Sequence, residues 1–80
     1  MDIGEAVRLR ILELCKEKHI TVNKLSTISG ITQSTLNNIV SARNKSATVS
    51  TVKKICDGLE ISLEQFFASD VFKRENIDEC

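Results

Sequence analysis

Apolar residues recur at helical spacing from the start of the chain. Ile3, Val7, Ile11 and Leu14, with Arg8, Glu13, Lys16 and Glu17 between them, predict an amphipathic helix from Glu5 to about Lys18, ending near His19. Thr21 is placed to cap a short second helix, Val22 to Ser29, with Leu25 turned inward and Gly30 where a left-handed residue is needed to stop it. One residue, Ile31, separates that stop from the next cap, Thr32, which opens a third helix from Gln33 to about Ser41. The apolar face of this third helix is Leu36, Ile39 and Val40, while Gln33, Ser34, Asn37 and Asn38 point elsewhere. Arg43 to Ala47 is polar and reads as a loop, closed by Thr48 capping a fourth helix in which Val49, Val52, Ile55, Cys56 and Leu59 share a face. Ser62 caps a short fifth helix carrying Leu63, Phe66 and Phe67. Beyond Ser69 the charged segment with Val71, Phe72 and Ile77 is either a frayed helix or a docked strip of chain.

Composition narrows this to one all-α domain. Eighty residues, 41% hydrophobic and 28% charged, cannot hold two cores. Three Phe, no Trp or Tyr and no Pro leave a core of Ile, Leu and Val with few of the turn signals of a β protein. Residues 3–68 form the expected domain and 69–80 a C-terminal tail. The longest stretch without a charge runs from Leu25 to Ala42, but ten of its eighteen residues are Ser, Thr, Asn or Gln, so it cannot cross a bilayer. The first residues carry no basic region followed by an apolar run, hence no secretory signal. Cys15, Cys56 and Cys80 are odd in number and lack metal-type spacing, which fits reduced thiols and a cytoplasmic location.

The formal net charge of zero conceals a polarity. Residues 1–54 hold nine Lys and Arg against four Asp and Glu; residues 55–80 hold two against seven. Such segregation permits a basic face toward nucleic acid and an acidic face turned away, although small solvated domains also segregate charge by chance.

Leu25-Ser26, Gly30-Ile31, Leu36 and Ile39 have the spacing of a helix-turn-helix: apolar anchors, a small residue where two helices cross, and a glycine in the turn. A bulky side chain at Ser26 would push the second helix of the pair out of register, and a β-branched one at Gly30 would resist positive φ. A DNA reader must further offer hydrogen-bonding groups to base edges from the outer face of the second helix, and Gln33, Ser34, Asn37 and Asn38 supply them. Gln and Asn can pair bidentately with adenine, so an uncharged recognition helix suffices if its flanks hold the phosphates. A merely solvated polar face is the plainer reading of the same four residues.

Three stretches carry a family resemblance: Ile20-Thr21-Val22-Asn23-Lys24-Leu25, then Ser29-Gly30-Ile31-Thr32-Gln33-Ser34-Thr35-Leu36, then Ile55-Cys56-Asp57-Gly58-Leu59-Glu60-Ile61-Ser62-Leu63-Glu64-Gln65-Phe66-Phe67. From Ile11 to Phe67, about seven-tenths of its length, the chain resembles the phage-repressor and Cro-like helix-turn-helix family, the xenobiotic-response-element type. The resemblance implies a five-helix lambda-repressor-like domain that binds double-stranded DNA. It places Gln33, Ser34 and Asn38 at base-reading positions, with Thr35 and Asn37 beside them. It places Thr21, Asn23, Thr32, Ser41, Arg43, Asn44 and Lys45 against phosphates. Because one module of this size reads a single half-site, a homodimer is expected, with Phe66, Phe67, Val71 and Phe72 at the contact between copies; the alternative is that these Phe residues only close the monomer core. The chain departs from the pattern in four ways. Val22 stands where a polar phosphate contact is usual, so that contact is either lost or passed to Asn23. Ala42 and Glu60 replace customary glycines, and Cys15 and Val40 occupy the positions of an arginine and glutamate pair.

The function expected is therefore a sequence-specific DNA-binding transcriptional regulator that occupies an operator. The alternative is a protein-interaction module, antitoxin-like or anti-repressor, that keeps the fold and uses the acidic, Phe-containing C-terminal half as its surface. An enzyme is not expected, because no acid and base constellation stands out. Cys15 and His19 lie four apart on one predicted helix without a third ligand at partner spacing, so no metal or cofactor is expected, and no small-molecule site is evident. Lys53 and Lys54 read as solvating charges.

Overall fold

Five α-helices each begin on a side chain that accepts a hydrogen bond from the backbone N–H three residues on. In a computed structural model that describes residues 1–41 and 47–78, these are α1 (Ile3–Glu17), α2 (Val22–Ser29), α3 (Gln33–Val40), α4 (Val49–Leu59) and α5 (Leu63–Phe66). Their caps are Asp2, Thr21, Thr32, Thr48 and Ser62. Such caps satisfy N–H groups that have no partner within the helix, each contributing about 1 kcal/mol. Ser62 forms a full capping box, with Gln65 Oε1 accepting from its backbone N–H at 2.8 Å. Asp2 draws the start of α1 back to Ile3, two residues before the expected Glu5.

The helix endings repeat one device. His19, Gly30 and Glu60 adopt left-handed φ values of 57°, 71° and 60°. The residue after each donates its N–H five residues back: Ile20 to Cys15, Ile31 to Ser26 and Ile61 to Cys56. This is the Schellman ending, in which the residue following the left-handed one turns back onto the helix it has left. Here that residue is isoleucine three times, and all three side chains lie in or against the core. A Thr or Ser cap follows at once. The sequence left-handed residue, isoleucine, cap therefore both stops one helix and starts the next, with a core anchor between.

Phe66, Ile11, Leu25, Leu36, Ile55 and Cys56 are the largest fully buried side chains and draw on all five helices. α2 and α4 meet at backbone distance. A Cβ on Gly58 would fall 2.8 Å from the Ile28 carbonyl oxygen and 2.9 Å from Ser29 Cα, so only glycine lets α4 approach the end of α2 this closely. Two expected core residues are at the surface instead: Ile3 is 50% and Val49 77% exposed. Both are the first residue of their helix, one turn beyond the last layer of the core, so they share its direction without reaching it.

One charged residue is buried that periodicity did not single out. Arg10, 7% exposed, donates from Nε to the Phe66 carbonyl oxygen at 2.6 Å and from Nη2 to the Gln65 carbonyl oxygen at 2.8 Å. Its Nη1 pairs with Glu13 Oε1 at 2.5 Å. The guanidinium fork thus closes the C-terminal end of α5, where carbonyl groups lack helical partners and a cation is favoured. Glu13 Oε1 also accepts from Ser69 Oγ at 3.0 Å, which carries the network into the tail.

Residues after Ser69 form two 3₁₀ turns, Asp70–Phe72 and Arg74–Asn76, docked rather than frayed. Phe72 stacks near Phe67 and Phe66, with ring centroids 4.8 and 6.1 Å apart. The Asp78 N–H donates to the Met1 carbonyl oxygen at 2.7 Å, bringing the end of the described chain back to its start.

Candidate nucleic-acid interface

α3 is held by its inner face. Leu36 is fully buried and Ile39 8% exposed, while Val40 is partly buried against the same core. At 100° per residue the remaining side chains fan outward in the angular order Gln33, Asn37, Ser34, Asn38, over an arc of about 140° centred opposite Leu36 and Ile39. All four are exposed, and none of their side chains forms a hydrogen bond among the described residues. Toward the described residues the arc carries amide and hydroxyl groups with their donors and acceptors uncommitted, and its four side chains carry no charge. Thr35 sits at its edge, and its hydroxyl accepts from Thr32 Oγ1 at 2.9 Å.

The turn that presents α3 is built as the spacing requires. Ser26 is 5% exposed and closes its hydroxyl onto the Asn23 carbonyl oxygen at 2.9 Å, so a small side chain fills the crossing without an unpaired polar atom. At Gly30 a Cβ would meet nothing within 4 Å, so its φ of 71° and not crowding is what favours glycine.

The residues expected at phosphates fall into three groups. Thr21 and Thr32 are exposed caps whose Oγ1 atoms accept from the N–H of Lys24 and Thr35 at 3.0 and 3.2 Å. Beside Thr32 the Gln33 and Ser34 N–H groups have no partner within the helix, leaving donors at the positive end of the helix dipole. Asn23 and Ser41 are exposed at the start of α2 and the end of α3, with Ser41 Oγ donating to the Asn38 carbonyl oxygen at 3.4 Å. Arg43, Asn44, Lys45 and the departure at Ala42 lie outside the described residues. Val22 is half-buried against the core and offers phosphate nothing.

Of the four residues expected between copies, Phe66 must be corrected. It has no exposed surface, because α5 turns it into the centre of the core. Phe67 is 44% exposed, its ring edge-on to Phe66 at 4.9 Å, and Val71 and Phe72 are half-buried around it. Leu63, 36% exposed one turn earlier on α5, widens the patch and was not singled out by the sequence.

Cys15 and His19 do not form a pair. Cys15 is buried in α1, whereas His19 is exposed beyond the helix at positive φ. Burial pushes the Cys15 thiol above its ordinary range, and burial followed by the adjacent Asp57 does the same for Cys56. Both behave as small apolar core groups.

Comparison with known proteins agrees with this geometry. Residues 10–69 match the model of the Cro/C1-type HTH DNA-binding domain. The chain is 31% identical over 67 residues to the "SPbeta prophage-derived uncharacterized HTH-type transcriptional regulator YopS" of Bacillus subtilis (strain 168), covering 84% of this chain and 86% of that protein. Its fold is similar to that in "Crystal structure of the prophage Lp1 protein 11", with a TM-score of 0.81 and 33% identity over 92% of this chain and 99% of that one.

Proposed function

This chain belongs to the Cro/C1-type helix-turn-helix DNA-binding family, and on that premise we propose that it is a transcriptional regulator that occupies an operator with α3 in the major groove. The observation that carries the reading is the outward arc of α3: uncommitted amides and hydroxyls, held rigid from behind by Leu36 and Ile39. A solvated face needs no such preorganisation, whereas base recognition does.

In this reading Gln33, Ser34, Asn37 and Asn38 meet base edges, and Thr35 supports them from the rim. The free N–H groups behind Thr32, together with Thr21, Asn23 and Ser41, meet phosphates, and Arg43 and Lys45, with the amide of Asn44 between them, supply the grip just past α3. The arc spans about 7.5 Å along the helix axis from Gln33 to Asn38, enough for about two base-pair steps. One such module reads a half-site, and we assign the patch of Phe67, Val71 and Phe72 to pairing with a second copy, which sets two half-sites about 34 Å apart. The activity is binding and not bond chemistry.

Selection from a randomised duplex pool at moderate salt tests this. The expected result is one enriched sequence, repeated as an inverted pair about one helical turn apart. Recovery of an unenriched pool, or no duplex binding at all, contradicts it.

A further inference from the structure

α3 is delivered by the turn before it, and that turn is backed by another helix. α3 packs on α1 and α2, whereas α4 lies chiefly against α2. The backbones of α2 and α4 meet at Gly58, where a Cβ would stand 2.8 Å from the Ile28 carbonyl oxygen, 2.9 Å from the Ile28 carbonyl carbon and 2.9 Å from Ser29 Cα. Ile28 and Ser29 are the last two residues of α2, and Gly30, at a φ of 71°, turns the chain from them toward α3. Ser29 is buried, with its hydroxyl donating to the Leu25 carbonyl oxygen at 2.6 Å. Gly58 therefore touches the helix pair at the point from which its second helix is aimed.

We propose that Gly58 is a positioning residue for base reading: by admitting α4 to the backbone of Ile28 and Ser29, it sets the angle at which the turn carries α3 into the major groove. The inference rests on the DNA-binding reading above. A methyl group at residue 58 would have to part the two backbones by roughly half an ångström to reach ordinary contact, and no rotamer change can absorb that. The displacement passes to the turn. α3 is about 12 Å long, so a tilt of about 5° moves its far end by about 1 Å. Amides that pair with base edges require fixed distances and directions, and a shift of that size breaks them. Phosphate contacts made by flexible cations survive it, because they depend little on direction.

The same contact also holds α4 to α2, a role that needs no DNA. The experiment therefore reads preference in folded protein and not affinity alone. Binding to the selected duplex and to a scrambled duplex of equal length is measured for the parent, for Gly58→Ala and for Arg10→Met, at a temperature where circular dichroism shows each fully helical. Arg10→Met weakens the tie between α1 and α5, away from the turn. Gly58→Ala should bind the scrambled duplex as the parent does, while its preference for the selected one falls about 10-fold or more. Arg10→Met should keep the parental preference. A Gly58→Ala, Glu60→Gly double variant should regain stability without regaining preference. A parental preference in folded Gly58→Ala overturns the proposal, and so does a preference that returns together with stability in the double variant. Failure of both variants to fold also overturns it, since the contact would then serve the core alone. Absence of any preference in the parent overturns the DNA-binding reading itself.

Discussion

Arg10 and Phe66, 56 residues apart in the chain, are joined by a 2.6 Å hydrogen bond from the guanidinium Nε to the carbonyl oxygen, which ties the first helix to the last. With the second bond to Gln65 and the pair to Glu13, the guanidinium replaces carbonyl hydration at the closed end of α5. The family's customary arginine and glutamate positions hold Cys15 and Val40, one buried and one half-buried beside the same core. Replacing Arg10 by Met should cost about 1 to 3 kcal/mol, because it strands the Phe66 carbonyl oxygen, which has no other partner among the described residues, and removes the fork that ties α1 to α5. Lysine should recover little, lacking the planar fork. Urea midpoints check this, and a parental midpoint for Arg10→Met would show that the network contributes nothing.

Gly58→Ala reverses the usual helix-propensity argument. In an exposed helix interior alanine gains about 1 kcal/mol over glycine. Here the added methyl meets the backbone of Ile28 and Ser29 below 3.0 Å, and backbone cannot swing aside as a side chain can. A loss of about 1 to 3 kcal/mol is expected, since α4 must withdraw from α2. Thermal unfolding decides the sign.

Glu60→Gly should stabilise the domain by roughly 0.5 to 1 kcal/mol. Relief of the left-handed strain at φ 60° outweighs the greater freedom of glycine in the unfolded chain. Glu60→Ala keeps a Cβ and should show no such gain. Equal stability of the two variants would mean that the backbone there is not strained.

Phe67 distinguishes pairing from core closure. Phe72→Ser would also disturb the ring cluster beneath, whereas Phe67 is 44% exposed and can change with less damage. Sedimentation on operator DNA should show two copies of the parent per duplex and a shift toward one for Phe67→Ser. A parent that binds strictly one to one contradicts the assignment of this patch.

Four of the five helix starts were legible because a cap is local: a Thr or Ser hydroxyl and an N–H three residues on suffice, whereas the Asp2 cap of α1 was not singled out. Among the stops only Gly30 declared its backbone. His19 and Glu60 have no intrinsic liking for the left-handed region, and the isoleucine behind each, anchored in the core, holds them there. Arg10 was invisible for a different reason. Its partners lie 55 and 56 residues away, and a charge on an amphipathic helix is ordinarily read as solvated. Periodicity gave the direction of side chains but not their depth, so Ile3 and Val49 were placed too deep, while the expectation of a contact between copies placed Phe66 too shallow. The outward row of α3 could be read because both of its requirements are local, an apolar stripe to hold the helix and amides on the opposite side.

The most direct test of base reading by α3 is a repeat of site selection with Gln33→Ala and Asn38→Ala, each beside the parent. Their side chains diverge by about 140° around the helix axis, so they should reach separate base pairs. Each variant should lose on the order of 1 to 3 kcal/mol on the parental site and relax preference at one position per half-site, a different position for each. Selected sites identical to the parental one in both variants would contradict the assignment of α3 as the reading element.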